Sequence, residues 1–381
     1  MHERFLMSAE PLELRLHSGE EVIQEMTQSI TEMGAGDRIA LTTMSFEPSE
    51  QLTAGMLTAL SGAAERGASI HFGVDAFTFL LDNDSGAIGS QLAPVPFKQE
   101  AFARRQLALD ELQASGPHVN IGKLNEPNRR LQNPFAGRSH IKTAVIGDRC
   151  FIIGPNLHLT ERIDMGVSFE HAASANRLHS TLANLVKYGN TRDVFAGLDR
   201  AWQLDPNTQL LIDAGTPGQS LIMDRALQII DAASDEELVI SLQYAPRGRI
   251  AQRLAQAALK RGVQLRAFYN HPDTQGLVGG LADRLALRHA RLQGLPAALF
   301  AHQLPRAGRG TGVHSHAKSL ATEQTALLGN HNFDPRGVKF GTAEMSLVRH
   351  DPSFARQVGE LTCRLLGAPR PALDHAYSAA A

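Results

Sequence analysis

One arrangement of residues occurs twice in this chain, in matched register. Ser139-His140-Ile141-Lys142 leads through an apolar run to Gly154-Pro155-Asn156. His314-Ser315-His316-Ala317-Lys318 leads through another to Gly329-Asn330-His331-Asn332-Phe333. In both copies the asparagine lies sixteen residues after the histidine. A histidine and a lysine two apart on a strand point to the same face. A turn containing glycine then returns the asparagine toward them. A single His-x-Lys arises readily by chance, but two with the same continuation require a fold that builds one small β unit twice.

The flanking sequence repeats as well. In the first half a strand begins at Leu12, and a helical pattern follows at 22–33, with Val22, Ile23, Met26, Ile30 and Met33 at three- and four-residue steps. A buried strand at 38–46, a helix ending near Arg66, a Gly67 cap and a strand ending at Asp75 come next. In the second half the same order reads strand 210–213, helix 221–233, strand 237–244, a helix to Arg261, a Gly262 cap and strand 263–269. Phe46-Glu47-Pro48 corresponds to Tyr244-Ala245-Pro246, and Glu65-Arg66-Gly67 to Lys260-Arg261-Gly262. Two β-α-β steps predict parallel strands with right-handed crossovers. The chain is expected to be an internally duplicated α/β protein of two pseudo-twofold lobes, each a mixed, mostly parallel sheet flanked by helices. The division falls in 204–209, giving an N-terminal lobe 1–205 and a C-terminal lobe 206–381.

The insertions differ between the halves. The first carries Phe77, Phe79, Leu80 and Leu81, then Pro94-Val95-Pro96-Phe97. The second, at 277–299, is a basic amphipathic stretch with Arg284, Arg288 and Arg291 at helical spacing. It suits an anionic membrane surface or an acidic substrate, and equally a solvated face packed on its neighbour. Trp202 is expected in the core or at the lobe boundary, and 372–381 as a frayed tail.

Composition narrows the function classes. A hydrophobic content of 43% with 20% charged residues over 381 residues describes a globular chain with a sizeable core. The formal net charge of −2 lends no global basic field to nucleic-acid binding. Two cysteines, Cys150 and Cys363, make neither a disulfide framework nor a zinc site. No apolar run reaches membrane-spanning length, and the opening Met1-His2-Glu3-Arg4 is not that of a signal peptide. A reduced, cytoplasmic chain is expected, peripheral at the membrane if its substrate is a lipid.

Phosphodiester transfer needs a nucleophile, an acid for the leaving alcohol, and positive charge on the non-bridging oxygens. His140 and His316 supply two imidazoles, facing one another across a lobe interface. Lys142 and Lys318 supply the charge, joined at the phosphate by Asn156, Asn332 and Asn330; Asn156 and Asn332 equally suit turn positions. The order preferred from the sequence is His140 as nucleophile and His316 as acid, weakly determined because the motifs are nearly symmetric. An attacking imidazole needs an acceptor for its other ring N–H. Glu344 is the best acceptor in the second half, and Asp164 occupies the matching place in the first. His314, His331 and His158 suit structural or substrate-edge roles.

These residues resemble the phospholipase D superfamily, the His-x-Lys-x4-Asp proteins. The resemblance covers nearly the whole chain and is strongest to the bacterial branch of phosphatidylserine, phosphatidylglycerophosphate and cardiolipin synthases. Phe333-Asp334-Pro335-Arg336 is typical of that branch, as is Arg66-Gly67 before a strand ending in Asp75. Two departures stand out. The motif aspartate position holds Gly147 in the first copy and Glu323 in the second, and Gly154-Pro155 replaces the usual Gly-Ser. The resemblance implies a phosphohistidine intermediate, no cofactor and no catalytic metal. It also implies a phospholipid substrate, and a monomer that forms an intramolecular pseudo-dimer. A nuclease of the same chemistry and a non-catalytic lipid- or phosphate-binding module are the alternatives.

Overall fold

A computed structural model of the chain describes residues 10–80, 96–126, 137–157, 162–274, 276–292, 295–305 and 314–367. Leu81, Pro94, Val95, His158 and the 372–381 tail lie outside them. In the first half the strands are β1 (Arg15–Ser18), β2 (Arg38–Thr43), β3 (Ser69–Asp75), β4 (Val119–Leu124), β5 (Thr143–Ile146), β6 (Arg149–Ile153) and β7 (Met165–Glu170). They form one seven-stranded sheet in the order β1-β7-β6-β5-β2-β3-β4. The second sheet contains β8 (Arg200–Asp205), β9 (Thr208–Ala214), β10 (Glu237–Leu242), β11 (Gln264–Tyr269), β12 (Ser319–Ala321), β13 (Thr325–Gly329) and β14 (Ala343–His350). Its order is β11-β10-β12-β13-β14-β9-β8.

Reversed, the second order superimposes on the first: β9, β14, β13, β12, β10 and β11 take the places of β1, β7, β6, β5, β2 and β3. Strand β4 extends one sheet at its β3 edge, and β8 extends the other beside β9. The β8–β9 hairpin turns within 204–209, and both of its strands lie in the second sheet.

The sheets are mixed, but the parallel share is smaller than the sequence led us to expect. Parallel pairing is confined to β2–β3, β3–β4 and β10–β11. Strands β5 and β6, like β12 and β13, join through tight turns and pair antiparallel, and β7 and β14 return antiparallel after longer segments. Only a long crossover can return a strand in parallel.

Helices α1 (Gly19–Thr31) and α2 (Gln51–Glu65) cover one face of the first sheet. There Val22, Met26, Ile30, Met56 and Leu60 pack on Ile39, Leu41, Ile70 and Phe72. Helix α1 opens with a capping box: the Glu21 N–H donates to Ser18 Oγ at 3.4 Å, and the Ser18 N–H donates to Glu21 Oε2 at 2.8 Å. The first insertion forms α3 (Phe77–Leu80) and α4 (Pro96–Ala114). Helix α5 (Ala172–Tyr188) covers the other face and is followed by α6 (Thr191–Val194). In the second half α7 (Leu221–Ala232) and α8 (Gly248–Lys260) cover one face. The basic insertion forms α9 (Gly276–Leu292), followed by α10 (Pro335–Phe340), and α11 (Pro352–Gly367) closes the opposite face.

One apolar cluster joins the lobes. It contains Val145, Cys150, Ile152 and Val167 from the first sheet and Leu210, Ile212, Leu328 and Leu347 from the second, with Trp202, α5 and α11 packed around them. Successive β6 residues alternate between this shared core (Cys150, Ile152) and the α1–α2 core (Phe151, Ile153). That is why the motif strands read as uninterrupted apolar runs. No helix among the described residues is long and apolar enough to cross a membrane.

Candidate active site

Each His-x-Lys segment is an extended lead into the first strand of its hairpin, β5 or β12. A polar residue closing the β-α-β unit fixes each lead. Buried Asp75, at the end of β3, accepts the Ser139 N–H at 2.6 Å and pairs with Arg138 at 3.3 Å. Asn270, just past β11, accepts the Ser315 N–H at 2.7 Å and donates to the Ser315 carbonyl at 2.7 Å. The residue before each catalytic candidate is thereby clamped. Asn270 carried no expectation; the signal available was a polar residue ending an apolar strand in both halves.

The two leads cross to the other lobe. The Ile163 N–H donates to the His314 carbonyl at 2.9 Å, and the His316 N–H donates to the Ile163 carbonyl at 2.7 Å. The His140 N–H donates to the Ala343 carbonyl at 2.8 Å, and the Ala343 N–H to the Arg138 carbonyl at 2.8 Å. Each histidine therefore lies beside the carboxylate that follows its backbone partner in the opposite lobe. His140 Nδ1 meets Glu344 Oε2 at 2.8 Å, and His316 Nδ1 meets Asp164 Oδ2 at 2.7 Å. The sequence offered Glu344 and Asp164 as acceptors each within its own half; the structure exchanges them.

All six charged and imidazole residues are buried, none more than 5% exposed. The imidazole rings stand 6.2 Å apart between centroids at 69°. Lys142 Nζ reaches His140 Nε2 at 2.9 Å, whereas Lys318 Nζ lies 2.7 Å from His316 Nδ1. No hydrogen bond is made at His316 Nε2 among the described residues, so the near-symmetric site has one engaged and one unengaged outer ring nitrogen.

Burial, reinforced by the two ammonium groups, holds both imidazoles well below their usual pKa, which favours the neutral ring. Burial pushes Glu344 well above the usual carboxylate range and Asp164 up to about 6, against the pull of the lysines. Lys142 falls well below its ordinary value, and burial brings Lys318 down to about 8. An incoming phosphate anion supplies the negative charge these ammonium groups lack.

The three asparagines part company. Asn156 and Asn332 make no hydrogen bond among the described residues, and the side-chain oxygen of each is buried and unpaired. Neither side chain is engaged in fixing a turn by a hydrogen bond among the described residues. Asn330, expected at the phosphate, is a correction. It is fully buried; its Oδ1 accepts the Lys142 N–H at 3.0 Å, and its Nδ2 donates to the Ile153 and Lys142 carbonyls. Its amide clamps the first lobe's hairpin from the second lobe and has no capacity left for a ligand. Asn330→Ala strands a buried backbone N–H and C=O, and we expect a loss of about 2–4 kcal/mol, read by denaturant unfolding.

The motif departures fall away from the site or against it. Gly147 (φ +58°) turns the β5–β6 hairpin, and exposed Glu323 lies between β12 and β13. Each is five residues past its lysine, about 15 Å along the strand. Gly154 lies against Asp164: a Cβ there would come within 2.0 Å of Asp164 Oδ1. Phe333-Asp334-Pro335-Arg336 is structural. Asp334 caps α10, holds Arg336 at 2.7 Å, and Arg336 lies 4.5 Å over the Tyr244 ring. His331 accepts the Phe333 N–H at 2.9 Å. His314 keeps a buried Nε2 without a partner beside Ile163, so it borders the site. Arg162, adjacent to Ile163, makes no hydrogen bond or ion pair among the described residues, and the sequence drew no attention to it.

The chain thus folds as two α/β lobes, each built on a seven-stranded mixed sheet flanked by helices, with a His-x-Lys segment from each meeting where the lobes join. Among solved structures, phosphatidylserine synthase from Haemophilus influenzae Rd KW20 matches with a TM-score of 0.63 at 15% identity. The match covers 94% of this chain and 88% of that one. Polyphosphate kinase from Porphyromonas gingivalis scores 0.49 at 13% identity, over 93% of this chain and 50% of that one. Nuc from Salmonella typhimurium, a phospholipase D family member, scores 0.32 at 17% identity, over 43% and 95%. At those two scores neither bears on the fold. No protein-family model matches the sequence, and comparison with curated proteins finds no match.

Proposed function

We propose that this chain is a phospholipase-D-type phosphodiesterase or phosphatidyltransferase that acts on glycerophospholipids, by hydrolysis or by transfer to an alcohol. The observation that carries the reading is the pair of buried imidazoles 6.2 Å apart, each bonded through Nδ1 to a carboxylate of the other lobe. Such a bond orients the ring; it leaves Nε2 of His316 open for chemistry, while Nε2 of His140 is met by Lys142. The fold match to a phosphatidylserine synthase supports the phospholipid class.

His140 was the preferred nucleophile from the sequence; the unengaged Nε2 of His316 supports the reverse order. His316 Nε2 attacks phosphorus, the N–P bond forms, and the bond to the leaving alcohol oxygen breaks. His140 protonates that oxygen from Nε2 once the phosphate has drawn Lys142 onto its own oxygens. The Glu344–His140 pair holds the transferable proton as a unit. Water or an alcohol then attacks phosphorus, His140 takes back its proton, and the N–P bond breaks. Lys142, Lys318, Asn156 and Asn332 meet the charge on the non-bridging oxygens.

Labelled phosphatidylglycerol, phosphatidylcholine and single-stranded DNA, each incubated with and without chelator, test the class. Lipid turnover that survives chelator is expected. Turnover of DNA alone makes the protein a nuclease, and turnover of nothing makes it a binding module.

The pH profile follows from the two groups with intermediate values. The Asp164 carboxylate that holds His316 exists above about 6, and the Lys318 ammonium that binds phosphate exists below about 8. kcat/KM is therefore expected to rise through the first value, plateau narrowly and fall through the second. A profile still rising above the Lys318 value would exclude the ammonium role.

A further inference from the structure

Helix α9 turns an apolar stripe to solvent. Leu281, Leu285 and Leu292 are 56%, 58% and 77% exposed. At 3.6 residues per turn these positions, with Arg288 between them, fall on one face of the helix. Arg284 and Arg291 flank the stripe, while Asp283, Leu287 and Ala290 are buried on the opposite side. Asp283 is the acidic residue of α9, and it is occupied: it accepts the Ala245 N–H at 3.4 Å and pairs with Arg247. Arg284 is ion-paired with Asp273 of the preceding turn, so the exposed face of α9 presents its leucines with Arg288 and Arg291. Arg284, Leu287, Arg288, Arg291 and Leu292 also line a cavity of about 410 Å³.

Helix α9 is tied to the segment that follows the second motif. Arg247, which holds Asp283, also pairs at 3.6 Å with Asp334, two residues beyond Asn332. A scattered exposed leucine needs no explanation, but three in one stripe framed by arginines mark a docking surface. Arginine around exposed leucine fits a partner with negative charge above and hydrocarbon beneath.

We infer that α9 docks the protein on a bilayer bearing anionic phospholipids, its leucines entering the boundary between headgroups and acyl chains and its arginines engaging lipid phosphates. The inference deepens the phospholipid reading and rests on it for the reason a bilayer is the partner.

Co-sedimentation of the full chain with vesicles tests it. The unsubstituted protein should pellet with phosphatidylcholine–phosphatidylglycerol vesicles, more weakly at high salt, and stay in solution with phosphatidylcholine alone. Leu281→Ser/Leu285→Ser/Leu292→Ser, and separately Arg288→Glu/Arg291→Glu, should each weaken binding at least about tenfold. Both sets change exposed positions, so an unchanged thermal transition and unchanged turnover of a short-chain, monomeric phospholipid are expected. Equal vesicle binding by the variants, or no binding by the unsubstituted chain, overturns the inference. So does α9-dependent capture of single-stranded DNA that displaces vesicles. A protein that docks through α9 but turns over no lipid keeps the docking and loses the catalytic reading. One that hydrolyses monomeric lipid but ignores vesicles does the reverse.

Discussion

His316→Ala is expected to abolish turnover and the phosphoenzyme together, by at least about ten-thousandfold, because it removes the atom that bonds to phosphorus. His140→Ala is expected to cost less, about a hundred- to ten-thousandfold, because it removes the proton donor and leaves the nucleophile. The difference is chemical, so the leaving group exposes it. A phosphodiester with a p-nitrophenolate leaving group needs no protonation and should restore much of the first step in His140→Ala. It should restore nothing in His316→Ala. Quench of His140→Ala in alkaline detergent on that substrate should trap the substrate's phosphoryl group on His316, since the second step still lacks its base. Label trapped on His140 would reverse the assignment and recover the order preferred from the sequence. The prediction rests on one asymmetry: Lys142 engages Nε2 of His140, and Lys318 does not engage Nε2 of His316.

The crossed carboxylates give the second large effect. Glu344→Gln and Asp164→Asn keep shape and remove charge, and each should lower kcat about a hundred- to ten-thousandfold by disturbing the tautomer of the ring it holds. Their signatures should cross between lobes. Glu344→Gln acts through His140, so it should be rescued by p-nitrophenolate although Glu344 lies in the same half as His316. Asp164→Asn acts through His316 and should not be rescued. It should also remove the acid limb of the pH profile near 6, the Asp164 value. Rescue of Asp164→Asn instead would mean that each carboxylate serves the histidine of its own lobe. Unchanged kcat in both variants would make them structural ion-pair partners.

Much of the architecture was legible because local patterns repeat. Apolar residues at three- and four-residue steps marked α1, and the Arg-Gly pairs marked the ends of α2 and α8. The parallel share of the sheets was overread. A run buried on both faces looks the same whether its neighbour is parallel or antiparallel, and β5–β7 and β12–β14 pair antiparallel. Asn330 was misassigned because its place beside Asn332 carries no record of the Lys142 and Ile153 backbone it meets. Asn270 and Arg162 escaped notice because neither belongs to the repeated motif.

The sequence by itself determined the duplication, the α/β class and which imidazoles, ammonium groups and carboxylates are brought together. Those follow from period and spacing, which act along the chain. The tertiary structure alone decided who serves whom: Glu344 holds His140, Asp164 holds His316, and Asn330 holds the other lobe's backbone. These pairings arise where Arg138–His140 hydrogen-bonds to Ala343 and where His314 and His316 hydrogen-bond to Ile163, contacts between segments far apart in the chain. Spacing along one strand carries no information about which strand of the opposite lobe crosses it.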